Sequence, residues 1–415
     1  MGILVNVRKM KSNRKYYIYI LVMAVLYGLQ YYINNKITPV GDQTAFLKYA
    51  KEFHHQYFTF GLHRYFTWSS RLLIESATLL FSVHEKIFLV VTVIASYFLL
   101  IPSKKLIPSL PLLPALIIFF SLPASEFLSA GSIPTYTNYI FPASFLFFSL
   151  YYRYSDNLAV RFISFFSFIF SIMNEQLAAY AFLWIIFELF HDWKNKVFRY
   201  RNFLYLFLSF MGILSAKISP GNAVRFTKEV ATWFPNYTRL NIFQKLSLGI
   251  LETADGLLSV SFSFVFLLLI ILIVLSVYKK NFLSLSFSVF IFLSILSQKL
   301  EWRNPLFTLS GLSKIVRESG TFKVNIANFG VLIYNILLFF MLTYIIWSVT
   351  NSTNKLWLSY LFVIGILARL IISFSPTLYA SGTRTYLPVM ISIFVITCEL
   401  LNEVYSYFKQ TSIGV

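Results

Sequence analysis

The sequence predicts an all-α fold, a polytopic bundle of about twelve transmembrane helices (range about ten to thirteen) with interfacial helices in its first outer loop. Three observations lead there. Of 415 residues, 58% are hydrophobic and only 12% charged, against about 25% charged in a soluble globular domain. Apolar runs long enough to cross a hydrocarbon core recur from end to end, among them residues 16–33, 257–278, 331–349 and 385–401. These runs are solidly apolar rather than alternating, which excludes a β-barrel and leaves helices that satisfy their backbone groups internally.

The elements follow in order. Arg8, Lys9, Lys11, Arg14 and Lys15 hold the N-terminus in the cytoplasm. The run after them is read as a retained first span, because it exceeds a signal h-region and no small-residue cleavage site follows. Residues 34–85 then lie outside and are only partly apolar, with Asp42, Glu52, Arg64, Arg71 and Glu75 among aromatic residues; they read as one or two helices along the interface. A second span, near 87–101, returns to Lys104 and Lys105. Spans near 106–122 and 139–152 meet outside around Gly131 and end at Arg153. The next two meet outside at Asn174-Glu175 and return to Lys194, Lys196, Arg199 and Arg201. A seventh span near 203–216 sends residues 217–255 outside, and the eighth ends inside at Lys279-Lys280. The ninth emerges near Gln298, and a basic segment, 299–323, precedes three final spans. That segment would ordinarily stay in the cytoplasm; placed outside, it implies an anionic partner. The whole chain reads as one integral membrane domain, with residues 1–256 as its catalytic half and 257–415 as its C-terminal spans.

Composition narrows the function. The net charge of +19 is scattered between hydrophobic spans, which points to lipid phosphates and anionic head groups rather than nucleic acid. Cys398 is the single cysteine, so no intrachain disulfide forms. Five histidines and no Gly-rich phosphate loop argue against a Cys/His metal site and against cytosolic nucleotide chemistry. No cofactor is assigned; a divalent cation is left open but unsupported, because a lone carboxylate makes a poor all-protein site.

Polar residues in a chain this apolar need a reason. Asp42, in Pro39-Val40-Gly41-Asp42-Gln43, is either a helix N-cap or a base that deprotonates an attacking hydroxyl. Trp68-Ser69-Ser70-Arg71 offers an interface anchor or a guanidinium clamp for phosphate. Asn174-Glu175 is a connecting turn or a binding pair, and Pro220-Gly221-Asn222 with Arg225 is an ordinary helix break or an anion seat. Arg384 stands at the mouth of the last span, Arg317 lies in the basic segment, and Gly131, Tyr136, Asn138 and Tyr139 mark the remaining outer turn. Their common side is the signal.

In this order, the series resembles a bacterial family of polytopic membrane proteins of unknown function related to the GT-C glycosyltransferases and the O-antigen glucosyltransferases. The resemblance runs from about residue 30 to 400, and its strongest pieces are Asn174-Glu175 and residues 219–225, SPGNAVR. It implies transfer of a sugar from a polyprenyl-phosphate carrier to a glycan, lipid or protein acceptor on the outer face of the cell membrane. By resemblance, Asp42 is the catalytic base, and Arg71, Arg225 and Arg384 neutralise the carrier phosphate. Asn174 and Glu175 then hold sugar hydroxyls or position Asp42, while Trp68, Tyr139, Asn222 and Arg317 complete the binding set. Two departures stand out: Gly41 and Gln43 flank Asp42 where relatives carry a second acid, and Ser70 replaces their glycine. The first opens the base assignment to Glu175 or Glu126. A lipid-linked glycan flippase or transporter, or an O-antigen-type polymerase or ligase, is the alternative. The transporter predicts midplane polar residues and internal repeats, whereas the polar motifs here gather on one side.

Overall fold

The computed structural model describes residues 14–37, 41–108, 110, 112–121, 131–259 and 263–413, and among these every regular element is helical. Contacts divide them into two compact units. The first runs up to Lys228 and takes back Gly382–Pro388; the second holds Glu229–Ser381 and the chain from Val389 onward. The sequence reading had placed the two halves of one domain on either side of residue 256.

In the first unit, α1 (Arg14–Ile37) packs along α5 (Glu85–Leu100). Between them in sequence come α2 (Asp42–Glu52), α3 (Tyr57–Thr67) and α4 (Leu72–Val83), with α3 and α4 forming a hairpin. The short α6 (Ser103–Leu106), α7 (Leu113–Ser121) and α8 (Ser132–Thr135) follow. A π-helical turn, Tyr136–Ile140, then leads into α9 (Phe141–Tyr152), which lies against both α5 and α10 (Leu158–Ser171). Helix α11 (Glu175–Lys194) pairs with α12 (Tyr200–Ile218), and α13 (Pro220–Trp233) leaves α12 at a 56° bend. The second unit contains α14 (Ile242–Ala254), a second π turn at Asp255–Ser259, α15 (Ser263–Tyr278), α16 (Phe282–Lys299) and α17 (Pro305–Glu318). It also contains α18 (Ile326–Val349), α19 (Lys355–Leu370) and most of α20 (Leu387–Ile413). Helix α16 packs on α15 and α18, and α14 meets α17, α18 and α19.

Five of these helices are long and apolar enough to cross a membrane, or six if the bent α12–α13 pair is one span. Several of the expected twelve spans are shorter elements. Helix α5 has 16 residues and α10 has 14, whereas α8, the π turn and α9 run on without a break from Ser132 to Tyr152. Helix α11 has the length, about 30 Å at 1.5 Å per residue, but carries Glu175, Glu188, Asp192 and Lys194. The expected outer loops 217–255 and 299–323 are largely the helices α13, α14 and α17. Exposed apolar side chains mark the long helices: on α18, Ile333, Leu337 and Phe340 point outward, the last 68% exposed. Such a face is costly in water and ordinary in lipid.

Asparagine starts many of the helices. Asn157, Asn174, Asn241, Asn281, Asn304 and Asn325 each accept from backbone N–H groups of the first turn of the helix they cap. The cap satisfies donors that have no intrahelical partner. At the far end of α11, Arg153 bonds the buried Glu188, which also accepts from Trp184 Nε1 at 2.9 Å, and Asn202 donates to Asp192 at 2.9 Å. Of the basic residues expected on the inner side there, Arg199 joins this network through Asp192 at 3.5 Å, while Lys194 and Lys196 are exposed.

Candidate functional site

The first unit gathers most of the singled-out residues around the turn between α3 and α4. Trp68 closes α3, and Arg71 stands at the start of α4. Ser69, Ser70 and Arg71 are buried, Arg71 to 6% exposure. A guanidinium taken from water to that degree needs a partner of opposite charge, and it has one. Arg71 Nε donates to Glu175 Oε2 at 3.0 Å and Nη2 to Oε1 at 2.6 Å, the fork-to-fork geometry that only arginine provides. Its Nη1 donates to Asn138 Oδ1 at 3.0 Å.

Local structure fixes each partner. Asn138 sits in the π turn and donates back to Pro134 O at 2.9 Å, which turns its amide oxygen toward Arg71. Asn174 caps α11 by accepting from Gln176 N and Leu177 N at 3.1 and 3.2 Å, and its own amide donates to Asn138 O at 2.9 Å. Glu175 is therefore held at the first turn of α11, where the helix dipole favours a negative charge. Burial pushes its carboxyl upward, but Arg71, reinforced by Arg225 and by backbone N–H, outweighs burial and holds it at about 2.

Tyr139, one residue beyond Asn138, lies between two cations. Arg71 Cζ is 5.6 Å and Arg384 Cζ 5.3 Å from its ring centroid, within cation–π range. Arg225 also acts electrostatically on Tyr139. Gln176 Nε2 donates to Thr385 O at 3.2 Å, tying α11 to the segment that carries Arg384.

The α12–α13 bend supplies the remaining side. Asn222 Oδ1 accepts from Ser70 N at 3.3 Å, and its Nδ2 donates to Ser70 Oγ at 3.3 Å and Ala216 O at 2.6 Å. Ser219 Oγ donates to Tyr65 O at 2.8 Å. A Cβ on Gly221 would stand 2.4 Å from Trp68 N and 2.7 Å from Tyr65 O, so only glycine permits this approach. Four residues on from Gly221, Arg225 Cζ is 5.9 Å from the Trp68 ring centroid.

Trp68, Arg71, Tyr139, Asn174, Glu175, Asn222, Arg225 and Arg384 thus form one connected group. Two other predicted residues stand apart from it. Asp42 is exposed at the first position of α2, and Gly41, with φ 74°, occupies the cap position that the sequence offered to Asp42. Among the described residues, no hydrogen bond or ion pair joins Asp42 to the group. Arg317, on α17 of the second unit, donates to Glu252 Oε2 at 2.9 Å and Asp255 Oδ2 at 2.5 Å. Glu126 lies outside the described residues.

The sequence reading missed two contributors. Asn138 was noted only as decoration of a turn, and its contact with Arg71 spans 67 residues of chain. Arg64 bonds Glu75 at 3.1 Å and stacks on Trp68, its Cζ 4.9 Å from the ring centroid; opposite charges on the two arms of a helical hairpin were the available signal. Among the described residues, no group of three or more His, Cys, Asp or Glu side chains could hold a metal ion. Comparison with protein-family models, with characterised proteins and with solved structures gives no match to the chain.

Proposed function

We propose that the protein is a membrane glycosyltransferase of the cell envelope, moving a sugar from a polyprenyl-phosphate carrier to an extracytoplasmic glycan, lipid or protein. The observation that supports this most is the gathering of Arg71, Arg225 and Arg384 about Tyr139, with Glu175 as the carboxylate in the same field. An apolar protein that concentrates three guanidinium groups at one polar cluster is suited to an anion delivered by lipid.

In the proposed step, an acceptor hydroxyl attacks the anomeric carbon. The bond from that carbon to the phosphate oxygen breaks, and the electron pair leaves with the carrier phosphate. Asp42, exposed on α2, takes the hydroxyl proton. Arg225 and Arg384 stabilise the charge that grows on the leaving phosphate. Arg71 is largely engaged by Glu175 and Asn138, so it acts as the fixed centre that sets the positions of the others. Glu175, held at about 2, is a poor base at neutral pH and serves as the counter-ion of Arg71. Arg317 is left out of this reading because Glu252 and Asp255 engage its guanidinium. The reading also keeps the twelve-span, GT-C-like arrangement, with the short apolar helices as additional crossings and the cluster on the outer side.

The test is transfer in vitro from labelled polyprenyl-phosphate sugars by the purified full chain in lipid nanodiscs. Native protein should transfer label, and Asp42→Asn should lose at least about a hundredfold while retaining its melting temperature. Unchanged transfer by Asp42→Asn removes the base assignment, and no transfer from any donor removes the enzyme reading.

A further inference from the structure

The basic segment between α16 and α18 takes no part in the step above. Its two neighbours are each long and apolar enough to cross a membrane, so residues 300–325 between them stay at one membrane surface. Most of the segment is α17, capped by Asn304 with Pro305 in its first turn. The helix turns Ser313 and Val316 inward and packs on α14, α16 and α18, where Asn335 Nδ2 donates to Ser313 Oγ at 3.2 Å. Arg317 faces the same way, onto Glu252 and Asp255.

The outer side of the segment is both basic and apolar. Arg303, Lys314 and Lys323 are exposed, and among the described residues no carboxylate pairs with any of the three. Glu318, one turn beyond Lys314, lies 3.6 Å from Arg317 Nη2 instead. Between these cations, Trp302 is 54% exposed and Ile315 65%, and Ile326 at the start of α18 is 94% exposed. Leu312, also exposed, shares a side of α17 with Ile315, while Lys314 points about 100° away from Ile315. A soluble polyanion offers nothing to such apolar side chains, and a hydrocarbon interior offers nothing to the cations. A bilayer surface serves both, with the long stems along the acyl boundary and the charged ends at the phosphates.

We infer that the outer side of residues 300–325 is a binding surface selective for anionic glycerophospholipid. Helix α17 lies along the interface, Leu312 and Ile315 enter the acyl boundary, and Trp302 sits at head-group depth, where its indole is favoured. Arg303, Lys314 and Lys323 then meet head-group phosphates. A zwitterionic head group brings an ammonium beside its phosphate and cancels most of the attraction, whereas a net-negative one keeps it, at about fivefold in affinity for each basic residue. This selectivity is independent of the transferase reading, since none of these side chains belongs to the group about Tyr139.

The experiment places the full-length protein in nanodiscs containing rising mole fractions of phosphatidylglycerol or phosphatidylcholine with brominated acyl chains, which quench nearby tryptophan. The reporter is the emission of native protein minus that of Trp302→Phe. Half-maximal quenching should come at an at least about fivefold lower mole fraction of phosphatidylglycerol than of phosphatidylcholine, and 1 M salt should erase most of that difference. Arg303, Lys314 and Lys323 are exposed, so the triple substitution to Gln should keep the native melting temperature. It should make the two lipids equal as quenchers while leaving Trp302 quenched. Equal quenching of native protein by both lipids, or a preference that survives the triple substitution, overturns the selectivity. A Trp302 that neither lipid quenches overturns the interfacial placement. Loss of the phosphatidylglycerol preference on adding water-soluble poly(glycerol phosphate) assigns the face to a polyanion and overturns the lipid.

Discussion

Arg71 and Arg317 each lie beside a π-helical turn, and each bonds carboxylate, yet the two centres are balanced differently. In the first unit, Arg71, Arg225 and Arg384 share the field at Tyr139 with Glu175. In the second, Arg317 bonds Glu252 and Asp255, and Arg369, buried to 0% exposure on α19, also acts on Glu252. Two cations and two carboxylates there leave little for a ligand. The comparison teaches that a buried arginine is not in itself a binding residue. What matters is which partners the surrounding chain brings to its guanidinium.

The comparison predicts a separation of stability from activity. Arg317→Met should be the most damaging to the fold, lowering stability by about 3–5 kcal/mol, because Glu252 and Asp255 would be left facing each other. Combining it with Glu252→Gln and Asp255→Asn should recover most of that loss in thermal unfolding, and transfer per folded molecule should change little throughout. Loss of transfer at native stability would instead return Arg317 to the binding set. Arg384→Gln should do the reverse, cutting transfer about a hundredfold, near 2.7 kcal/mol of transition-state stabilisation, with melting shifted by only a few degrees. Gly221→Ala comes next. Its Cβ would meet the Trp68 backbone, so about 1–3 kcal/mol of stability should go, with carrier binding weakened as α13 is pushed away.

The smallest effect is expected from acid. A carboxyl held below its ordinary value of 4.5 stabilises the fold at pH above that value, and the contribution fades as pH falls toward about 2. Native protein should therefore lose stability between those limits, and Glu175→Gln should be flatter across the same window. Equal slopes in the two proteins would mean that the Arg71–Glu175 pair does not stabilise the fold.

Much of this was legible in the chain. Composition and apolar runs dictate helices in a membrane, since only helices and closed barrels satisfy a backbone in lipid and runs without alternation do not make a barrel. Asn174-Glu175, Pro220-Gly221-Asn222, Arg225, Trp68, Arg71 and Arg384 were visible because each interrupts apolar sequence at a cost. The span count was less legible. Hydropathy sums over a window and does not register that α10 stops at 14 residues, or that residues 299–323 fold largely into α17.

The sequence by itself determined that the protein is helical, that it belongs in a membrane, and that a few polar motifs need explaining. Only the tertiary structure decided how those motifs are shared out. Partners in an ion pair are chosen by three-dimensional neighbourhood, and Arg71 with Glu175 is a contact across 104 residues. Charge type is written in one dimension, but charge balance is a property of the volume around each group. That is why Arg225 and Arg384 join the group about Tyr139 while Arg317, equally basic in sequence, bonds Glu252 and Asp255.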